Sequence, residues 1–277
     1  MESYQDVLEY FAGKASRYDE VDQQVYWQLS DRLLWWLLEE NVLSKLSDDF
    51  RFLDAGGGTG RWSKMLFDQY SKSTGSIVDL SEAMLGEARR KFSSPEYQNR
   101  VSIRCGNIEG LSEIPSMSFD LTFNFHNVLG FVKDPQRALS ELSRVTRSGG
   151  AVVSVIPNIN HVVFFNLFLN RLEEAERTVQ SGKGRFTQDM PDMHVFSLAK
   201  IEQLYKEAGL SCALYGFPVS IYPGFQETQL SGSSKALETV LGNADRLARV
   251  LEIEKVMCLE PGVAARGNNL MAIGWKA

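Results

Sequence analysis

The chain has 277 residues, 44% hydrophobic and 23% charged, a composition that fills a sizeable core and excludes a disordered or fibrous protein. Lys and Arg number 29 against 35 Asp and Glu, and the resulting charge of −6 argues against a nucleic-acid footprint and for a small partner. The longest apolar run near the N-terminus, residues 33–38, is far short of the roughly 20 residues of a bilayer span, and residues 1–10 lack a basic start followed by an apolar stretch, so a cytoplasmic protein with no membrane span is expected.

No repeat or Pro/Gly/Ser-rich linker divides the chain, and one elaborated domain over 1–277 is expected. Val21, Val25, Leu29, Leu33, Trp36 and Leu37 recur at spacings that predict an amphipathic helix over 19–40. Residues 50–55 read as a buried strand running into Gly56-Gly57-Gly58, with a helix from Thr59 turning Trp62, Met65 and Leu66 inward. The alternation repeats with strands at 76–79, 101–105 and 119–125 and a helix at 81–92. Pro135 suits a first helical turn before Leu139, Leu142 and Val145, and Gly149-Gly150 breaks the chain ahead of a strand at 151–156. A helix at 201–208 ends at Gly209, followed by strands at 210–217 and 269–275. Such alternation predicts an α/β, doubly wound, mostly parallel sheet. Residues 158–192 and 218–267 stand outside it, each after a strand, where ligands of open α/β sheets bind, and are expected to form a helical lid. Cys105, Cys212 and Cys258 are widely spaced and read as buried thiols, with neither a disulfide framework nor a metal site.

The sharpest signal is Asp54-Ala55-Gly56-Gly57-Gly58-Thr59-Gly60, a turn without side chains where a ligand can approach the backbone. A dinucleotide fingerprint fails here: the sixth position is Arg61 counted from Gly56 and Ser63 counted from Gly58. The pattern of Asp54, Gly56, Gly58 and Gly60 instead resembles the first motif of the class I S-adenosylmethionine-dependent methyltransferases. That resemblance implies a seven-stranded Rossmann-like sheet and further roles. Asp79, at the end of Ile77-Val78-Asp79-Leu80-Ser81, matches the acidic residue that holds both ribose hydroxyls. Gly106-Asn107-Ile108-Glu109 resembles the element beside adenine, with Asn107 in place of the usual Asp, and Leu80, Met84 and Ile108 become adenine contacts. Tyr18, in the Tyr18-Asp19 pair, is implied to reach the cofactor carboxylate. The resemblance covers about 18–210 and includes Ser118-Phe119-Asp120-Leu121 and Ser148-Gly149-Gly150.

The acceptor side is less legible, because an amine or thiolate needs mainly placement whereas a hydroxyl benefits from a general base. His126, ending the fourth strand, is the candidate base. His194, Phe165 and Tyr222 are candidate substrate contacts, His161 is expected to be solvated, and Trp62 reads as core. The expected function is methyl transfer from S-adenosylmethionine, leaving S-adenosylhomocysteine, to nitrogen, oxygen or carbon of a small molecule. The alternatives are an NAD(P)-dependent oxidoreductase and a non-catalytic S-adenosylmethionine-binding protein. An RNA acceptor would rest on the short basic run Arg89-Arg90-Lys91, which reads as a solvated helix face. The sequence does not specify an oligomeric state.

Overall fold

Seven strands form one sheet, each overlapping a strand expected from the sequence, in a computed structural model that describes residues 4–221 and 240–277. They are β1 (Arg51–Ala55), β2 (Thr74–Asp79), β3 (Val101–Cys105), β4 (Phe119–Asn124), β5 (Thr146–Pro157), and, beyond a small hairpin of β6 (Lys183–Gly184) and β7 (Met193–His194), β8 (Leu210–Phe217) and β9 (Asn269–Lys276). Their order across the sheet is β3-β2-β1-β4-β5-β9-β8. β9 runs antiparallel to both its neighbours, and the other pairings are parallel. The order runs outward from β1 through β2 and β3 on one side and through β4 and β5 on the other. A crevice therefore opens at the carboxyl ends of β1 and β4, where the winding reverses.

Helices cover both faces. On one side α2 (Val25–Asn41) packs Leu29, Leu33 and Leu37, all fully buried, among Phe52, Phe123 and Val153, together with α3 (Arg61–Gln69) and α4 (Glu82–Lys91). Each such leucine contributes roughly 1.5–3 kcal/mol by leaving water. On the other side α6 (Pro135–Val145) and α9 (Leu198–Glu207) pack Leu139, Leu142, Ile201 and Tyr205 against Leu53, Val152 and Leu270. The helix starts are locally specified: Asp134 caps α6 by accepting the Arg137 amide at 3.0 Å with Pro135 in the first turn, and Ser197 caps α9 by accepting the Lys200 amide at 3.2 Å.

Several boundaries differ from expectation. The helix expected over 19–40 is two pieces, a 3-10 segment (Ala15–Gln23) and α2, divided at Gln24, whose backbone is extended. β5 begins at Thr146, so Gly149-Gly150 lie within it, and the pairing with β4 shifts register between Phe119 and Leu121. The segment 158–192 forms α7 (Ile159–Phe168), α8 (Leu172–Ser181) and β6, which pairs with β7 just beyond it, and Val162 joins Met193 and Val195 in a small separate core. Of 218–267, the described part holds α10 (Ala244–Cys258), which packs on α2. No helix among the described residues is long and apolar enough to cross a membrane.

Candidate active site

The turn after β1 leaves the strand with Gly56 at φ +79° and Gly58 at φ +53°, a backbone that glycine adopts without strain. A Cβ on Gly58 would stand 2.9 Å from the terminal methyl of Met84, and the Gly58 amide donates to Oδ2 of Asp79 at 2.9 Å. Gly60 has a different task. Its missing Cβ makes room for the Phe92 ring, which would otherwise lie 2.5 Å away, and Gly60 does not line the cavity. Asp54 is buried at the floor of the turn, accepts the Ser63 hydroxyl at 2.7 Å, and is pushed up to about 7 chiefly by that burial.

The cavity above this turn holds about 930 Å3 of empty space, part of it open to solvent. On the β2–β3 side it is lined by Asp79, Leu80, Met84, Asn107 and Ile108. Asp79 accepts the amides of Gly58 and of Ser81, the latter at 2.8 Å, yet burial dominates and raises its carboxyl above the usual range. These bonds use one lone pair on each oxygen, so both can accept further hydrogens from a ligand. The Asn107 side chain holds Glu109, its carbonyl accepting the Glu109 amide at 3.0 Å and its amide donating to the Glu109 carboxylate at 3.2 Å. A carboxylate facing two further acceptor positions beside an apolar slot, next to a turn bare of side chains, fits the ribose, adenine and aminoacyl parts of S-adenosylmethionine.

Of the lid expected from sequence, 158–192 contributes no residue to the cavity lining, and 222–239 lies outside the described residues; 158–192 backs the wall through Phe131, which packs against Val162, Met193 and Val195. The cover is α1 (Gln5–Ala12), which presents Val7, Leu8 and Phe11 to the cavity, followed by Tyr18 from the 3-10 segment. Tyr4 donates to the Glu109 carboxylate and accepts the Lys133 amide at 3.2 Å, while Phe11 meets Phe131 edge to face at 5.3 Å. Behind α1, Asp19 accepts the Thr59 hydroxyl at 2.7 Å and pairs with Lys91 at 2.5 Å. These contacts hold the covering segment on the glycine turn and on α4. The apolar Val7, Leu8 and Phe11, spaced for one helix face, were the signal in the sequence.

On the β4 side the chain turns through two successive residues of positive φ, His126 at +53° and Asn127 at +70°. This presents His126 to the cavity with Trp62 and Phe125, the Trp62 and His126 rings stacked at 5.5 Å. Trp62 is thus core and cavity wall at once, being nearly buried. Burial first, and the Arg61 charge second, push His126 down to about 3, so at neutral pH the imidazole is uncharged. Arg61, which sequence reasoning did not assign to the site, lines this end and pairs with Asp22 and Asp31; Asp31 lies behind the wall, outside the cavity lining, with its Oδ1 3.7 Å from Nε2 of His126.

The other acceptor candidates lie elsewhere. Phe165 is buried in α7, edge to face with Phe186 at 5.4 Å, and does not reach the cavity. His194 is half-buried in β7 with Nε2 3.3 Å from the Lys133 carbonyl, also outside the cavity lining. His161, expected in solvent, is buried among Phe164, Phe165 and Phe186. Tyr222 lies outside the described residues.

Residues 53–154 match the family of methyltransferase domains. The chain is 36% identical over 143 residues to a malonyl-[acyl-carrier protein] O-methyltransferase of Halorhodospira halophila, covering 52% of this chain and 45% of that protein. It is 25% identical over 159 residues to the tRNA 5-carboxymethoxyuridine methyltransferase of Escherichia coli K12, covering 57% of this chain and 59% of that protein. The chain thus spans about half the length of these curated relatives. A solved structure from Thermotoga maritima, described as an S-adenosylmethionine-dependent methyltransferase and possible histamine N-methyltransferase, matches with a TM-score of 0.58 at 20% identity, covering 98% of this chain and 99% of that one, and so shares the fold. The matched domain over residues 53–154, the strand order and the carboxylate at the end of β2 support a class I S-adenosylmethionine-dependent methyltransferase.

Proposed function

We propose that the protein transfers the methyl group of S-adenosylmethionine to a small-molecule acceptor. The observation that carries this reading is one continuous cavity joining Asp79, the bare glycine turn and His126 beneath the α1 cover. The cofactor, when bound, supplies an electrophilic methyl on a sulfonium. Asp79 holds the ribose hydroxyls; Leu80, Met84, Ile108 and Asn107 border the adenine; and the backbone of Gly56, Gly57 and Gly58 with Tyr18 faces the aminoacyl end. Val7, Leu8 and Phe11 exclude water, which leaves positioning as the main contribution to rate. His126 is a shaping and hydrogen-bonding group in this reading.

Two relatives act, by name, on a carrier-linked malonyl group and on a tRNA nucleoside. A nucleic-acid acceptor is disfavoured here by the charge of −6, and because Arg89, Arg90 and Lys91 are each paired, with Glu82, Glu87 and Asp19. The test is incubation of the protein with isotopically labelled S-adenosylmethionine and a cell extract, followed by separation into small molecules, RNA and protein. Label in the small-molecule fraction is expected; label confined to RNA or protein would overturn the acceptor class. Parallel titration with S-adenosylhomocysteine and NADH separates this function from a nicotinamide oxidoreductase.

A further inference from the structure

Behind the cavity wall at its β4 end a carboxylate faces an imidazole. Asp31 is only 8% exposed, its Oδ2 pairs with Arg61, and its Oδ1 stands 3.7 Å from Nε2 of His126. Both facing atoms are closed off from solvent, so no ligand comes between them and the carboxylate acts on the ring alone. Burial chiefly pushes the Asp31 carboxyl up to about 6, which leaves it mostly ionised at neutral pH, where His126, held down to about 3, is uncharged. A neutral imidazole carries its one hydrogen on either nitrogen, and a negative acceptor opposite Nε2 places it there. At 3.7 Å the contact is longer than a hydrogen bond, but the electrostatic preference for Nε2–H needs no closer approach.

Nδ1 then keeps a free lone pair. It has no hydrogen-bond partner among the described residues and, unlike Nε2, is not closed off; the His126 side chain is 20% exposed and lines the cavity. The left-handed backbone at His126 and Asn127 turns the ring inward, with Trp62 stacked on it at 5.5 Å and Trp27 edge-on at 5.9 Å. A lone pair held at this point accepts a hydrogen from the acceptor. A carboxylate or an ether brings none. An ammonium must shed a proton before its nitrogen can react, a proton that a ring of such low affinity does not take, and its charge would lose water among Phe125, Trp62 and Val128. A hydroxyl is neutral, donates, and holds its proton ever more weakly as its oxygen bonds to carbon.

We infer that Asp31 is a positioning residue that holds His126 in its Nε2–H form, and that Nδ1 takes the hydrogen of an acceptor hydroxyl, so that the protein methylates an alcohol or phenol on oxygen. This rests on the methyl-transfer reading above. The oxygen lone pair forms the O–C bond as the C–S bond breaks with its electrons to sulfur. The hydroxyl proton passes to Nδ1, and the imidazolium, facing the Asp31 carboxylate, returns it to solvent as the product leaves.

The experiment first measures S-adenosylhomocysteine binding by calorimetry, then records proton–nitrogen correlation spectra of the saturated protein at neutral pH, with its three histidines isotopically labelled on nitrogen. His126→Phe identifies the His126 signals by their loss. They are expected to show hydrogen on Nε2 and a bare Nδ1. In Asp31→Asn the amide oxygen stays with Arg61 and the amide nitrogen takes the place of Oδ1, so the bare nitrogen should become Nε2, a change that a purely structural partner of Arg61 would not cause. Titration with phenol, anisole and benzylamine, followed by tryptophan fluorescence, tests the acceptor. Phenol is expected to bind at least tenfold more tightly than the other two, to shift the Nδ1 resonance, and to lose at least tenfold in each variant. The wild-type spectrum and His126→Phe preserve the test should Asp31→Asn not fold. Hydrogen on Nδ1 in wild type, a tautomer unmoved in folded Asp31→Asn, or phenol bound no better than anisole or benzylamine would overturn the proposal. Failure of wild type to bind S-adenosylhomocysteine at all would defeat the methyltransferase reading instead.

Discussion

The Gly58 amide donates to Oδ2 of Asp79 at 2.9 Å, which bonds the turn after β1 to the end of β2 and sets the carboxylate at the edge of the bare backbone. The group assigned to ribose recognition is therefore held in place by the group assigned to the aminoacyl end.

Asp79→Ala removes that link and a charged acceptor for two hydroxyls. Hydrogen bonds to a charged group contribute roughly 1.5–3 kcal/mol, or about ten- to a hundredfold in affinity. Calorimetry with S-adenosylhomocysteine should show at least a tenfold loss, and an unchanged dissociation constant in the folded variant would remove Asp79 from the site.

Gly58→Val should separate binding from folding. At φ +53° a β-branched residue is strained by on the order of 1–3 kcal/mol, and its Cβ meets the Met84 methyl at 2.9 Å. The methyl is the end of a flexible chain and can yield, so backbone strain and the blocked ligand face dominate. Circular dichroism should keep its helical signal while S-adenosylhomocysteine binding disappears; normal binding would show that this glycine does not face the ligand.

A third prediction concerns which segment moves. Because α1 rather than 158–192 covers the cavity, S-adenosylhomocysteine should slow tryptic cleavage after Lys14 and Arg17, both exposed beside α1, and leave cleavage after Lys183 unchanged. Tyr4→Phe, which frees Glu109 from the Tyr4 hydroxyl, should speed release of S-adenosylhomocysteine several-fold in stopped flow. Protection at Lys183 with none at Lys14 would return the closing role to the insertion.

Strands were legible almost to the residue: 101–105 and 210–217 match β3 and β8, the two edge strands of the sheet, because the turn residues on either side mark where each begins and ends. The break at Gln24 was not legible. It accompanies Asp19 and Asp22 reaching Thr59, Lys91 and Arg61, and periodicity does not report contacts so distant in sequence. The cofactor side was readable because a glycine turn and a carboxylate about 20 residues on constrain one another. The acceptor side was not, since the aromatic density around Phe165 and His161 looks the same in sequence whether it lines a pocket or, as here, the core of α7. Asp31, an acid between Ser30 and Arg32 in α2, gives no local sign that Arg61 and His126 meet it.

The last prediction is a pH dependence set by Asp54, whose carboxyl is held up at about 7 mainly by burial. Between pH 4 and 7 the folded protein keeps a proton there that the unfolded chain has lost, so this group makes stability fall as pH rises through that window. The burial penalty is absent below about pH 4 and complete above about pH 7. His126, held down to about 3, acts in the opposite sense: below about pH 6.5 the unfolded chain takes up a proton that the folded one refuses, and stability falls as pH falls. Comparison with Asp54→Asn isolates the first effect, because the histidine is common to both proteins and the Asn carbonyl still accepts the Ser63 hydroxyl. The variant should melt a few degrees above wild type at pH 8, a difference that shrinks steadily toward pH 4. Parallel melting curves of the two proteins across that range would mean that Asp54 keeps an ordinary carboxylate pKa in the fold.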